Sequence, residues 1–255
     1  MLIHELAFYV HITAGCAGLI LFWVPMLSRK GSPRHKQIGR WFARIMYTVA
    51  ASGLIMASLD LAWPLVMHPA GTTLSDAQTQ SRIAEVRYTA GFLWSLSILV
   101  LVTTRHGWLT ILQREDRAPL RRPLHVALCS LLMAAGLVML YVGLRGYDLL
   151  LLAFGALEVW VAAGCLHYAF KTTLQHPREW WTEHLAALTA SGIAAYTAFF
   201  VFGGARLLQA WIPDSFAGLS ILLWVGPGVI GGITIGRMTA HYRRRFAQPS
   251  QNQTV

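Results

Sequence analysis

The stretch HITAGCAGLILFWVPMLSRKGSPRHKQIGRWF, residues 11–42, decides the fold class. Its first half is an apolar run without Asp, Glu, Lys or Arg, and its second half carries glycine, proline and clustered Lys and Arg. An α-helix needs about 20 apolar residues to cross a bilayer, and a cationic turn after such a run is typical of a cytoplasmic loop. The stretch therefore predicts a membrane-spanning helix followed by an inner turn.

The same apolar pattern recurs along the whole chain. Of its 255 residues, 55% are hydrophobic and only 13% are charged, whereas soluble domains carry about 25% charged residues. We expect an all-α, polytopic transmembrane helical bundle that forms a single domain over residues 1–245, with a disordered polar tail over residues 246–255. Its seven spans are predicted near residues 4–27, 42–67, 87–104, 124–144, 147–170, 181–207 and 217–240.

The distribution of positive charge predicts the orientation of this bundle. The chain has a formal net charge of +10, and seventeen of its Lys and Arg residues fall in the odd-numbered connections and the carboxyl-terminal segment, against four in the even-numbered connections. Loops rich in Lys and Arg stay on the cytoplasmic side. We therefore expect the amino terminus outside and the carboxyl terminus in the cytoplasm, with the lipid bilayer and not nucleic acid as the partner of this charge.

Two acids and one histidine lie deep inside predicted spans, away from the span ends. Glu158 is at the centre of the fifth span, Asp60 is in the outer half of the second, and His11 is near the middle of the first. An acid at such a depth costs about 2.5–3.5 kcal/mol on insertion scales, so it is expected to be protonated, paired or hydrated. Either Glu158 is a neutral acid that bonds a neighbouring helix, or Glu158 and Asp60 are proton or substrate sites.

Most histidines lie at the predicted membrane boundaries. His4 and His68 are at the outer boundary, whereas the inner boundary holds His35, His106, His125, His167, His184 and His241. Imidazole is the commonest metal ligand and a usual haem ligand, although it also suits a membrane interface without any ligand. Small residues follow several of these histidines at helical spacing, which admits either a haem or close helix packing.

These residues lead to three hypotheses. The first is a membrane redox or metal-binding protein with one b-type haem or a divalent metal such as zinc near the cytoplasmic face, with a membrane quinone or another redox partner. The candidate ligands are His184, His125, His167 and His241, with His11 as a deeper cofactor contact. The second is a proton-coupled transporter that uses Glu158, Asp60 and His11. The third is a membrane subunit without catalysis. We predict no catalytic residue, and the sequence contains no HExxH or GxSxG motif.

Two stretches carry a family resemblance. The first contains His-x3-Gly and then KG-x3-HK-x2-GR within residues 11–40, and the second is EHLAALTASGIAAYTAFF, residues 183–200. Together they resemble a family of uncharacterised bacterial inner-membrane proteins, defined only as a domain of unknown function. The matching motif positions are His11, His35, Gly39, Arg40 and His184. The resemblance implies a bacterial membrane location and no particular chemistry.

Overall fold

The computed structural model describes residues 1–70, 74–176, 178–204 and 217–247. All regular secondary structure within these ranges is helical. A single 3₁₀ turn, Ala118–Arg121, and a π-helical segment, Phe199–Gly204, accompany the α-helices. The α-helices are α1 Leu2–Leu27, α2 Pro33–Ala62, α3 Pro64–Met67, α4 Asp76–Gln113, α5 Pro123–Gly146, α6 Leu149–Phe170, α7 Glu179–Ala198 and α8 Ala217–Ala247.

Six helices of the described chain are long and apolar enough to cross a membrane. They are α1, α2, α4, α5, α6 and α7 with the residues that continue it to Val201. They support the predicted class, a multi-pass helical membrane protein, with six candidate spans where the sequence predicted seven. The seventh predicted span, residues 217–240, falls in α8, and its crossing of the membrane stays a prediction.

Helix α4 is much longer than the span predicted from its apolar block. The block covered residues 87–104, whereas α4 has 38 residues and is about 57 Å long at 1.5 Å per residue. A hydrocarbon core of about 30 Å cannot hold it, so its ends are polar extensions of one continuous helix. The segment from residue 105 to Gln113, which follows the predicted third span, is the end of this helix.

The cationic turn between α1 and α2 satisfies the backbone groups at both helix ends. The last carbonyl groups of a helix have no partner within the helix. Lys30 Nζ lies 2.8 Å from the Pro25 oxygen and 2.7 Å from the Met26 oxygen, and donates to both. His35 Nδ1 lies 3.1 Å from the same Pro25 oxygen. Burial lowers the pKa of the Lys30 ammonium from its ordinary value.

The amino end of α2 is closed in the same turn. Gly31 has a φ of +80°, a backbone conformation that favours glycine. Ser32 then accepts a hydrogen bond of 3.2 Å from the backbone N–H of His35, as an N-cap does. Pro33 occupies the first helical position, where its missing N–H has no cost. The segment RKGSPRH, residues 29–35, is therefore the turn of a helical hairpin. The geometry of this turn explains its residue types.

The contacts divide the chain into two compact units, which we describe separately. The first comprises Met1–Val102 and Ala127–Gly164, and the second comprises Thr103–Val126 and the described part of Cys165–Val255. Helices α4, α5 and α6 each contribute residues to both units. Helix α8 continues to Ala247, two residues into the predicted tail, and the rest of that tail lies outside the described residues.

Candidate metal centre

Three side chains of the first unit converge near the amino end of α1. His4 is in the first turn of α1, and Asp60 is in the last turn of α2. His68 follows the short helix α3, and its backbone N–H donates to the Pro64 oxygen at 2.9 Å. Residues before a proline avoid the α conformation, so α2 ends at Ala62 and Pro64 opens a new turn. That break carries His68 back to the side chain of Asp60.

The three side chains share one carboxylate oxygen. His4 Nε2 lies 3.0 Å and His68 Nε2 lies 3.1 Å from Asp60 Oδ1. The two imidazole rings meet edge to face, with their centroids 5.8 Å apart. The Asp60 side chain is 12% exposed, that of His4 18% and that of His68 39%. The site is thus closed on the Asp60 side and open beside His68.

These atoms are hydrogen-bonded to one another and also form a group that could hold a metal ion. Two imidazole nitrogens and one carboxylate oxygen lie within 4.8 Å of one another, the one such group found among the described residues. Tetrahedral zinc has nitrogen and oxygen ligands at about 2.0–2.2 Å, which places neighbouring ligand atoms about 3.3 Å apart. The nitrogen–oxygen distances of 3.0 and 3.1 Å are close to that spacing. The group could therefore hold a divalent ion.

The sequence predicted similar depths for these three residues but did not combine them into one site. It assigned His4 and His68 to the outer boundary and Asp60 to the outer half of its span, as a proton or substrate residue. The available signal was the shared depth of the three residues. Their convergence also requires the rotation of α1 against α2 and the break at Pro64, which spacing along the chain does not give.

The inner histidines form a different arrangement in the second unit. His106 and His125 are both fully buried, with His106 Nδ1 3.2 Å from His125 Nε2 and the rings stacked 5.4 Å apart. His106 Nε2 lies 3.0 Å from Glu183 Oε1. The Tyr168 ring meets His106 edge to face at 5.6 Å. The sequence named His125 as a ligand and placed His106 at the same depth, without including it in the site.

The other predicted inner ligands do not converge on this pair. His184 Nδ1 lies 3.0 Å from the backbone oxygen of Gly107, the residue after His106 in α4. His167 and His241 are exposed, and His241 meets the ring of Tyr242 edge to face. The structure therefore brings His125 and His184 to neighbouring residues of α4 and leaves His167 and His241 at the protein surface.

The deeper residues of the first unit are separate from one another. His11 Nδ1 lies 3.1 Å from the Val49 oxygen and 3.1 Å from Ser52 Oγ, and so links α1 to α2. Glu158 accepts a hydrogen bond from Ser95 of α4. Each of the two side chains is thus bound to its own partners on a neighbouring helix, and neither is a member of the His4–Asp60–His68 group.

Comparisons with protein-family models, with curated proteins and with solved structures find no match to this chain. The resemblance to an uncharacterised bacterial membrane family stays a prediction. The fold and the site define a multi-pass helical membrane protein with a cluster of two histidines and one aspartate.

Proposed function

We propose that this protein binds a divalent metal ion, zinc, through His4, Asp60 and His68 in the cytoplasmic membrane of a bacterium. The observation that carries the proposal is the convergence of two imidazole nitrogens on one carboxylate oxygen. Imidazole nitrogen favours zinc over magnesium or calcium, which prefer sites made of oxygen atoms alone. The positive-inside distribution supports a location of this centre at the outer face, where it would take its ion from outside the cell.

Three protein ligands leave one coordination position for water or a substrate. That ligand number is typical of catalytic zinc sites, whereas structural sites have four protein ligands. The exposure of His68 supports an approach to the ion from its side. The bound ion would act there as a Lewis acid on the ligand that occupies the fourth position.

Zinc titration of the purified protein tests this proposal. The protein carries an affinity tag without histidine, is stripped with a chelator and is titrated calorimetrically with zinc. We expect one zinc ion per chain, and a Kd at least about tenfold higher in Asp60→Asn, His4→Ala and His68→Ala because each change removes a ligand. His167→Ala is the matched control, since it removes an exposed histidine outside the centre. Zinc binding that Asp60→Asn leaves unchanged contradicts the proposal.

The second candidate is the redox function, with a b-type haem or a metal at the inner histidines and a quinone as partner. The observation in its favour is the contact between His184 Nδ1 and the Gly107 oxygen. Ligating histidines commonly donate their second ring N–H to a carbonyl group in this manner. An absorption spectrum of the solubilised protein tests the haem: a Soret band that His184→Ala removes supports it, and a protein without such a band contradicts it.

A further inference from the structure

Glu158 is an acid in the middle of a membrane helix, and it is fully buried within the protein. It is the tenth of the 22 residues of α6, and none of its surface is exposed. It does not belong to the proposed metal centre. A carboxyl group at this depth needs an explanation in terms of its neighbours, because its ionised form is costly without water or a paired cation.

Two glycines make room for this side chain. A Cβ at Gly136 of α5 would lie 2.8 Å from the Gly155 oxygen of α6, and a Cβ at Gly155 would lie 2.8 Å from the Gly136 oxygen. The backbones of α5 and α6 are therefore as close as small residues permit. The added Cβ at Gly136 would also lie 3.0 Å from the Cβ of Glu158. The glycine contact thus seats Glu158 at the interface of these helices.

The carboxyl group has one hydrogen bond where its two oxygens can accept several. Ser95 of α4, itself 2% exposed, donates from Oγ to Oε2 of Glu158 over 2.5 Å. Oε1 is buried and has no hydrogen-bond partner among the described residues. The hydrogen-bond donor to Glu158 is the uncharged Ser95, and no charged side chain of the described residues interacts with the carboxyl group. A single hydroxyl group does not balance a buried negative charge.

We propose that Glu158 and Ser95 form a proton-binding site in the membrane core, at which the carboxyl group holds a proton at rest and exchanges it with the solvent. Its ligand is the proton itself. Such a site is what a proton-coupled membrane transporter requires at the middle of its bundle. A purely structural acid would keep its proton sealed from the solvent. Proton exchange at Glu158, in contrast, requires a transient opening between α4 and α6. The proposal stands apart from the metal centre, and each can fail without the other.

Infrared spectroscopy of the membrane-reconstituted protein tests both parts of this proposal. The difference between wild type and Glu158→Gln isolates the C=O stretch of a protonated carboxylic acid at neutral pH. We expect this band in wild type, a shift of the band in D2O as the proton exchanges for a deuteron, and a different frequency in Ser95→Ala, which removes the hydrogen bond. Ser97→Ala changes a serine two residues away on α4 and is the matched control.

Two outcomes overturn the proposal. A carboxylate band in place of the acid band at neutral pH means that Glu158 is ionised and paired with a cation. An acid band that does not shift after prolonged incubation in D2O means that the group is a sealed structural acid. Glu158→Gln keeps a neutral group of nearly the same shape, and we expect it to fold. Labelling by a lipid-soluble carbodiimide, which adds to protonated carboxyl groups, provides a second measurement by mass spectrometry; absence of the label at Glu158 likewise counts against the site.

Discussion

At the scale of single residues, the Asp60 carboxylate is the point on which His4 and His68 converge. A carboxylate inside a membrane helix is costly, and this one gains two imidazole partners at 3.0 and 3.1 Å. A metal ion adds charge compensation that the two histidines do not supply when they are neutral. A side chain that is costly inside a membrane helix is thus the one around which the group is arranged.

Metal binding should stabilise the folded protein. A ligand that binds only the native state contributes about 2.7 kcal/mol when its free concentration is one hundred times its Kd. We expect added zinc to raise the midpoint of thermal unfolding in detergent for wild type. Asp60→Asn should show a smaller rise, about half as large for a tenfold higher Kd, and a rise equal to that of wild type would contradict the assignment of the ligands.

A second prediction concerns the carboxyl group of Asp148, which lies between α5 and α6. The Tyr88 hydroxyl donates to it and holds the pKa of Asp148 below its ordinary value of 3.8. The same side chain caps α6, because Oδ1 accepts from the backbone N–H groups of Leu150 at 2.9 Å and Leu151 at 3.1 Å. Since the folded pKa lies below the unfolded one, this stabilisation is complete above about pH 5 and is lost as the pH falls through the folded pKa.

The variant that tests this bond is Tyr88→Phe. We expect it to lower the free energy of unfolding by about 1 kcal/mol at neutral pH, a value reduced by the solvent exposure of the pair. The difference from wild type should shrink as the pH falls below about 4. The measurement is the midpoint of thermal unfolding in detergent as a function of pH, and a difference that is constant across this range would refute the explanation.

At the scale of helices, the contact between α5 and α6 depends on two glycines. We expect Gly136→Ala and Gly155→Ala each to lower the free energy of unfolding by about 1–3 kcal/mol, because either methyl group meets the carbonyl oxygen of the facing helix. Gly164→Ala is the matched control on α6, since a Cβ there meets nothing within 4 Å. It should be neutral or slightly stabilising, because alanine favours a helix. Equal losses in all three variants would contradict this packing.

The sequence predicts the existence of helices better than their ends and rotations. The apolar blocks gave the six described spans because block length is a direct physical requirement of the bilayer. The ends of α4 could not be read in this way, since residues 76–86 are polar but still good helix formers. The inner histidines show the second limit: the sequence predicts a shared depth for them, whereas the exposure of His167 and His241 depends on helix rotation, which the sequence does not give.

At the scale of the whole molecule, the orientation is open to a direct test. The test uses a variant without the native cysteines. Ser75→Cys then introduces a label site just before α4, and Lys36→Cys introduces one in the first turn of α2. The positive-inside distribution predicts that an impermeant maleimide labels residue 75 in intact cells and residue 36 only after permeabilisation. The reverse pattern would place the metal centre on the cytoplasmic side.

The number of spans has its own measurement in the same background. Seven spans place the two chain ends on opposite sides of the membrane, and six place them on the same side. With Ser250→Cys, we therefore expect labelling only after permeabilisation, as for residue 36. Labelling of residue 250 in intact cells, together with residue 75, would show that α8 does not cross.

The His4–Asp60–His68 group is the part of the molecule that the sequence could predict least. His4, Asp60 and His68 share a depth, and that much followed from the apolar blocks. Their meeting point depends on the packing of α1 against α2 and on the reversal that Pro64 introduces, neither of which is encoded by a motif of fixed spacing. The centre is a product of the fold, and it carries the proposed function.

Zinc X-ray absorption spectroscopy of the loaded protein tests that centre most directly. For zinc bound by His4, Asp60 and His68, we predict a first shell of nitrogen and oxygen atoms at about 2.0–2.2 Å, with the outer-shell scattering of two imidazole rings. We predict the loss of one ring in His4→Ala. A shell with sulfur at about 2.3 Å, or one without imidazole scattering, would contradict the proposed ligands.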